Sequence, residues 1–335
     1  MSPETYAQVS NLVIPTATVI YLLAMMAHAL EWGMGRAVAV KAAVEQPAEV
    51  LVGSSSAGAQ DVAVPAGAAS VAGGAGGDGG SERSAAASRI GVMLTWLGFV
   101  LHFVGVLTRG LAADRVPWGN MYEFTITSSL AVAAVYLVFV HRYKLQWLGL
   151  GVTLVVAATL GLATLLLYTP AGPLVPALHS YWLVIHVSAA AISGGAFTVG
   201  ALISILYLLK SRAERGVLAG GSMSESMKRL PSAEAMDGTA YKVLAFAFPL
   251  WTFGVLVAGP IWAEYAWGRY WGWDPKEVWA LVTWVVYAAY LHARATAGWR
   301  GRPAAIIAIV GWLVFVFDFV GVNLLVSGLH SYSGV

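Results

Sequence analysis

The sequence predicts an all-α polytopic membrane protein with about eight transmembrane helices and an external tryptophan-rich loop. Three observations lead there. Hydrophobic residues make up 59% of the 335 and charged ones 11%, where a soluble domain carries about 25% charge; the mean hydropathy is +0.72. The apolar residues fall in runs of roughly 20, the length needed to cross a hydrocarbon core about 30 Å thick at 1.5 Å per residue. The basic residues cluster between alternate runs, as the positive-inside rule requires.

The expected spans are Leu12–Trp32, Ile90–Thr108, Met121–Val140, Trp147–Thr169, Trp182–Leu209, Tyr241–Gly259, Val278–Ala297 and Ala304–Ser327. The first follows MSPETYAQVSN, which lacks the basic region of a signal peptide, so it is expected to remain as a span. With the N-terminus outside, only Arg109, Arg115, Arg269 and Lys276 of the 19 Lys and Arg fall outside. Both termini and the tryptophan loop then face out. The chain divides into a first span (1–32), a cytoplasmic disordered Ala/Gly-rich linker (33–89) and a membrane domain (90–335). Within the linker, VAGGAGGDGGS at Val71–Ser81 is too poor in large apolar side chains to pack. Ala219–Met236 reads as a second mobile loop, and Pro260–Ala266 as a loop leaving the sixth span. LHSY occurs twice, at Leu178–Tyr181 and Leu329–Tyr332, too short a match to infer duplication.

There is no cysteine, which excludes a disulfide, a thiolate metal site and thiol catalysis within the chain. The net charge of +2 reflects the loop bias and gives no reason to expect nucleic acid.

The stretch WGRYWGWDPKE, Trp267–Glu277, sits between two spans. Interfacial aromatics are routine in membrane proteins, but Trp267, Trp271 and Trp273 with Tyr270 also make a flat, water-excluding surface suited to a large planar ligand. Asp274 followed by Pro275 reads as a helix N-cap and first turn. Ionisable groups within a bilayer are costly and are candidates for function, and neutral imidazole is a common haem iron ligand. By depth, His186 and His330 lie at the outer level, beside the tryptophan loop. His292 lies deeper, roughly 20 Å below that face, and belongs to a separate inner site. His28 could reach that inner site and His102 lies at mid-depth; His141 reads as interfacial and His179 as a loop residue. Glu123 suits a helix N-terminus or a pair with Arg109 or Arg115. Asp318 needs a polar partner or a proton. Arg269 and Lys276 could meet carboxylates of the ligand or form a solvated rim.

The tryptophan stretch resembles the WWD signature of haem-handling proteins in cytochrome c maturation. PWGNMYEF at Pro117–Phe124, SYWLVIHVS at Ser180–Ser188, WGRYWGWDPKEVWAL at Trp267–Leu281, YLHAR at Tyr290–Arg294 and FVGVNLLVSGLHSY at Phe319–Tyr332 together resemble the CcsA/ResC-type proteins of System II cytochrome c biogenesis, in the form common in actinobacteria. The resemblance covers spans two to eight, with the WWD motif at 267–277.

That resemblance implies a multi-pass protein of a bacterial plasma membrane. It would act as a subunit of a holocytochrome c synthase that carries haem b as substrate and presents it to apocytochrome c. His186 and His330 correspond to the family's external haem ligands and His292 to its transmembrane ligand. Trp267, Trp271, Trp273 and Asp274 belong to the haem-binding motif. The implied partners are a ResB-type membrane protein, apocytochrome c, and thiol-reducing proteins that keep its CxxCH reduced. Two other classes stand beside this: a cytochrome b-type electron-transfer subunit, which would leave the tryptophan loop unexplained, and a solute transporter, which would call for paired broken helices near the midplane.

Overall fold

The computed structural model describes residues 1–45, 78–172 and 178–330, and every described element is helical. In chain order these are α1 (Pro3–Glu45), α2 (Asp78–Ala113), α3 (Met121–Arg142), α4 (Gly149–Leu166), α5 (Tyr181–Leu218), the short α6 (Glu225–Arg229), α7 (Ala233–Phe253), α8 (Gly259–Trp267), α9 (Pro275–Thr296), α10 (Arg302–Val316) and α11 (Val322–Leu325). Two π-turns, Gly254–Ala258 and Phe317–Gly321, join α7 to α8 and α10 to α11 without a break.

Among the described residues, seven segments are long and apolar enough to cross a membrane: Pro3–Gly33, Glu82–Ala113, Met121–Arg142, Gln146–Leu166, Tyr181–Leu218, Ala233–Trp267 and Arg302–Leu325. The remaining expected span, α9, has 22 residues but carries Lys276, Glu277, His292 and Arg294, and these lower its hydropathy. Its neighbours decide its course. Asp274 at the start of α9 accepts the Leu329 N–H beyond α11, and Tyr287 midway along it reaches the Ala308 carbonyl of α10. The α9 helix therefore runs antiparallel to α10 and α11 along their length and crosses wherever they do.

Three sequence expectations change. The first helix continues past Trp32 to Glu45 and the second begins at Asp78, so both ends of the 33–89 segment are helical; residues 46–77 lie outside the described residues. Pro260–Ala266 is helix rather than loop. Proline lacks an N–H and its ring collides with the carbonyl four residues back in an α-helix. The wider π-turn just before Pro260 absorbs that conflict, so the helix continues to Trp267. The expected Ala219–Met236 loop also contains α6, whose Ser226 hydroxyl donates to the Trp32 carbonyl.

Helix α5 is the axis of the site-bearing half, packed against α3, α7 and α10. In a bilayer close contact between helices depends on small residues rather than on the hydrophobic effect, and α5 carries them as SGGAFTVGA. A Cβ on Gly195 would stand 2.8 Å from the Ala131 carbonyl oxygen of α3; only glycine lets these two backbones meet. On the other side, α1 and α2 pair with each other and with α4. A buried ion cluster ties α2 to α3. Glu123 accepts Arg109 Nε at 2.9 Å, an Arg115 guanidinium nitrogen at 2.6 Å and the Gly119 N–H at 2.8 Å, while Asn120 caps the helix through the Glu123 N–H. The two readings of Glu123, helix start and ion pair, both describe it.

Candidate functional site

The π-turn at Gly254–Ala258 builds the first wall of the site. The Gly259 N–H bonds the Gly254 carbonyl five residues back. The same carbonyl accepts His186 Nδ1 from α5 at 2.7 Å. An acceptor there requires the proton on Nδ1, so the His186 lone pair is on Nε2. Glycine is required around this ring: a Cβ on Gly259 would lie 3.1 Å from the imidazole, and one on Gly254 would lie 2.9 Å from Ala189 Cβ.

The loop after α8 builds the second wall. Gly268 ends α8 in the left-handed conformation at φ 68°, the usual glycine stop. The chain then turns through Tyr270 to Asp274, where Asp274 caps α9 with Pro275 in the first turn. Glu277 closes a capping box, its carboxylate accepting the Gly272 N–H at 2.8 Å and the Asp274 N–H at 3.0 Å. The DPKE run is thus a helix start. It also has a second task. Asp274 Oδ2 accepts His330 Nδ1 at 2.7 Å and Oδ1 accepts the Leu329 N–H at 2.6 Å. A Cβ at Gly328 would come within 2.6 Å of Oδ1, so glycine is needed for the C-terminal segment to dock there.

Both His186 and His330 thus use Nδ1 on an oxygen acceptor, which puts the lone pair on Nε2 in each. Burial is the largest influence on the His330 imidazole and lowers its pKa; the Asp274 hydrogen bond offsets only part of this, so the ring is neutral at neutral pH. Burial alone would raise Asp274. Its hydrogen bonds from His330, Leu329 and Lys276 outweigh that and hold the carboxyl below its ordinary range.

Trp262, in α8 and 1% exposed, touches both histidines. Its ring stacks on His186 at 5.8 Å and meets His330 edge-on at 5.7 Å, so the imidazole centroids lie within about 11.5 Å of each other, the sum of those separations. Trp267 meets His330 at 5.0 Å. These groups open on a pocket walled by α3, α5, α7, α8, α9 and α10, whose empty space, counted out into solvent at its mouth, is about 1030 Å³. Its walls are mostly apolar (Phe124, Leu183, Val187, Ala190, Trp251, Phe315), with Lys276, Asp318 and Asn323 on one side.

Of the residues singled out from sequence, His186, His330, Trp267 and Trp271 line this cavity, as does Tyr270. Asp274 lies behind His330, on a smaller pocket of about 180 Å³. Trp273 is 70% exposed, takes φ 58°, and lies outside the lining, edge-on to Trp271 at 5.9 Å. His292 is exposed on α9, seventeen residues on from Pro275, about 26 Å along the axis. His28 and His102 are fully buried elsewhere. The ring of His28 lies flat against Gly91 and Gly149, where a Cβ would come within 2.7 and 2.3 Å, which leaves no room for a planar ligand beside it. Three contributors were missed in the sequence: Trp262, the π-turn carbonyl of Gly254, and Gly328. For Trp262 and Gly254 the one available signal was Gly259–Pro260, which was read as a break.

A fold of this kind defines a polytopic membrane protein, here with two oriented imidazoles over an aromatic-walled cavity. Residues 118–330 match the Cytochrome C assembly protein family, and the chain belongs to that family. Relatives named cytochrome c biogenesis protein CcsA include one from Microcystis aeruginosa, 38% identical over 267 residues, covering 67% of this chain and 81% of the relative. Another, from Porphyra purpurea, is 36% identical over 279 residues, covering 73% and 87%. Among solved structures, cytochrome c haem lyase CcmF superposes with a TM-score of 0.59 at 15% identity, over 96% of this chain and 49% of that one. That likeness is one of fold, and this chain spans about half of the CcmF chain.

Proposed function

We propose that this protein carries haem b across a bacterial plasma membrane and presents it to apocytochrome c, as a subunit of a holocytochrome c synthase. The observation that carries the reading is the pair His186 and His330, both in contact with Trp262 and lining one cavity, each held by Nδ1. Two axial nitrogens suffice for an iron whose other four ligands come from a porphyrin. Among the described residues, no three His, Asp or Glu side chains converge as a bare metal ion would need.

In this reading the tryptophan loop and both termini face outward, in keeping with the basic residues between alternate spans. Trp267 and Trp271 enclose the macrocycle, with Trp273 at the outer rim of the same loop. The apocytochrome CxxCH supplies two thiols, kept reduced by thiol-reducing proteins. Each S–H adds across a vinyl group: sulfur bonds the carbon next to the ring and the proton goes to the terminal carbon, with no net redox change. The CxxCH histidine then displaces one protein imidazole. The chain contributes position rather than bond chemistry. His292, exposed on α9, would be half of an inner haem site whose second ligand comes from a ResB-type partner.

The test is His186→Ala and His330→Ala in cells that mature a c-type cytochrome. Each is expected to abolish maturation and to be partly rescued by added imidazole, which refills the axial position, with a changed haem spectrum in the purified protein. Normal maturation in both variants would overturn the ligand assignment.

A further inference from the structure

The cavity has one polar side, and its geometry is unusual. The π-turn at Phe317–Gly321 sends the Val322 N–H to the Phe317 carbonyl, five residues back. The Asp318 carbonyl thereby loses its regular α-helical donor. Lys276 Nζ, reaching over from α9, donates to it at 2.6 Å and lies 5.6 Å from the centre of the Phe319 ring. The ammonium thus bonds the main chain of Asp318 and not its carboxylate. The Asp318 side chain is 3% exposed and lines the cavity, and its Oδ1 has no hydrogen-bond partner among the described residues. An ammonium has three donors, so Lys276 has capacity beyond this one bond. Leaving a buried carboxyl oxygen unpaired beside an under-used cation is costly, and the natural completion is a ligand group that satisfies both.

We propose that Lys276 and Asp318 form the seat for a carboxylate of the planar ligand. Resting on the haem reading above, that carboxylate is a haem propionate. One of its oxygens accepts from Lys276 and the other shares a proton with Asp318, so two carboxyl groups, one ammonium and one shared proton leave the buried corner neutral. A hydrocarbon wall or a backbone amide could not meet both requirements.

The seat also sets the orientation of the ligand. Asp318 lies seven residues before Leu325, the last helical residue, about 10 Å deeper along the axis than the end where His330 and the tryptophan loop sit. In haem b the two propionates and the two vinyl groups occupy opposite halves of the macrocycle. With a propionate pinned at depth, the vinyl half faces the loop, where an apocytochrome would arrive. Lys276 and Asp318 thereby select for a carboxylated porphyrin and aim its reactive edge outward.

The experiment is an absorbance titration of the full chain in detergent with haem b and, separately, with haem b dimethyl ester, whose propionates are esterified. The wild-type protein is expected to bind haem b about tenfold or more tightly than the ester, the scale of a charge-assisted hydrogen bond. Lys276→Met and Asp318→Asn should weaken haem b and leave the ester unchanged, removing the selectivity. Equal affinity of the wild-type protein for the two ligands, with an unaltered bis-imidazole spectrum, overturns the carboxylate seat and leaves the haem reading standing. Binding of neither ligand overturns the haem reading, and the seat with it. The wild-type comparison needs no variant to fold, so it decides the proposal by itself.

Discussion

Two pairs of histidines in this molecule make a controlled comparison. His28 and His102 are fully buried in the α1–α4 half, whereas His186 and His330 are only half-buried, so depth of burial does not pick out the candidate ligands. The differences are in room and orientation. The His28 ring is pressed against Gly91 and Gly149; among the described residues neither of its nitrogens has a hydrogen-bond partner, and Nδ1 lies 3.5 Å from a Glu31 carboxylate oxygen. His102 bonds the Ile126 carbonyl through Nε2 at 2.8 Å and lies edge-on to Tyr21, with its other nitrogen enclosed by protein. His186 and His330 each fix Nδ1 on an oxygen and open onto a cavity. A histidine becomes a usable ligand when a second group sets its tautomer and direction and its ring borders a cavity.

The largest effect expected from this comparison is at Asp274. Asp274→Asn keeps a good helix cap but removes the charge that orients His330. Haem affinity, measured by titration of the purified protein, should fall about 10- to 100-fold, the usual cost of losing an orienting partner behind a ligand. Asp274→Ala, which also loses the cap, should lower stability by about a further 1 kcal/mol. Wild-type affinity in Asp274→Asn would mean that orientation is not what separates His330 from His28.

The opposite pair gives the second test. His28 is close to leucine in volume. His28→Leu keeps the volume, removes two buried nitrogens that make no hydrogen bond among the described residues and gives up the 3.5 Å approach of Nδ1 to Glu31, opposing effects, so folding stability should change by no more than about 1 kcal/mol in either direction. Haem content and spectrum should not change. Loss of haem from this variant would place His28 in a site and break the comparison.

Much of the fold was legible because span length and apolar composition are properties of the linear sequence. The cap at Asp274 was legible for the same reason, since D-P-x-E is a local signal. Its bond to His330 was not, because the partner lies 56 residues away and only packing brings it close. The π-turns were hidden by a different cause. One added residue in a helical turn leaves no periodic trace over five positions, and Gly259–Pro260 imitates a helix end. Trp262 was lost with that turn, since a tryptophan in an apparent loop looks like one more interfacial aromatic. Its ring is nonetheless the piece that both histidines touch.

The smallest expected effect divides the tryptophan loop itself. Trp271 lines the cavity, whereas Trp273 is 70% exposed and does not. Trp273 also holds φ 58°, a conformation in which a bulky residue has no advantage over a small one. Trp271→Ala removes an aromatic wall and should lower haem retention severalfold, with a loss on the order of 1 kcal/mol. Trp273→Ala leaves the wall in place and should stay within about 0.5 kcal/mol of wild type in stability, as exposed substitutions usually do, with haem retention changed less than about twofold. The two variants are compared by haem-to-protein ratio after purification. Equal losses would mean that the loop closes further over a bound ligand and brings Trp273 into contact; unequal losses in the stated order would assign the ligand-facing role to the tryptophan that already lines the cavity.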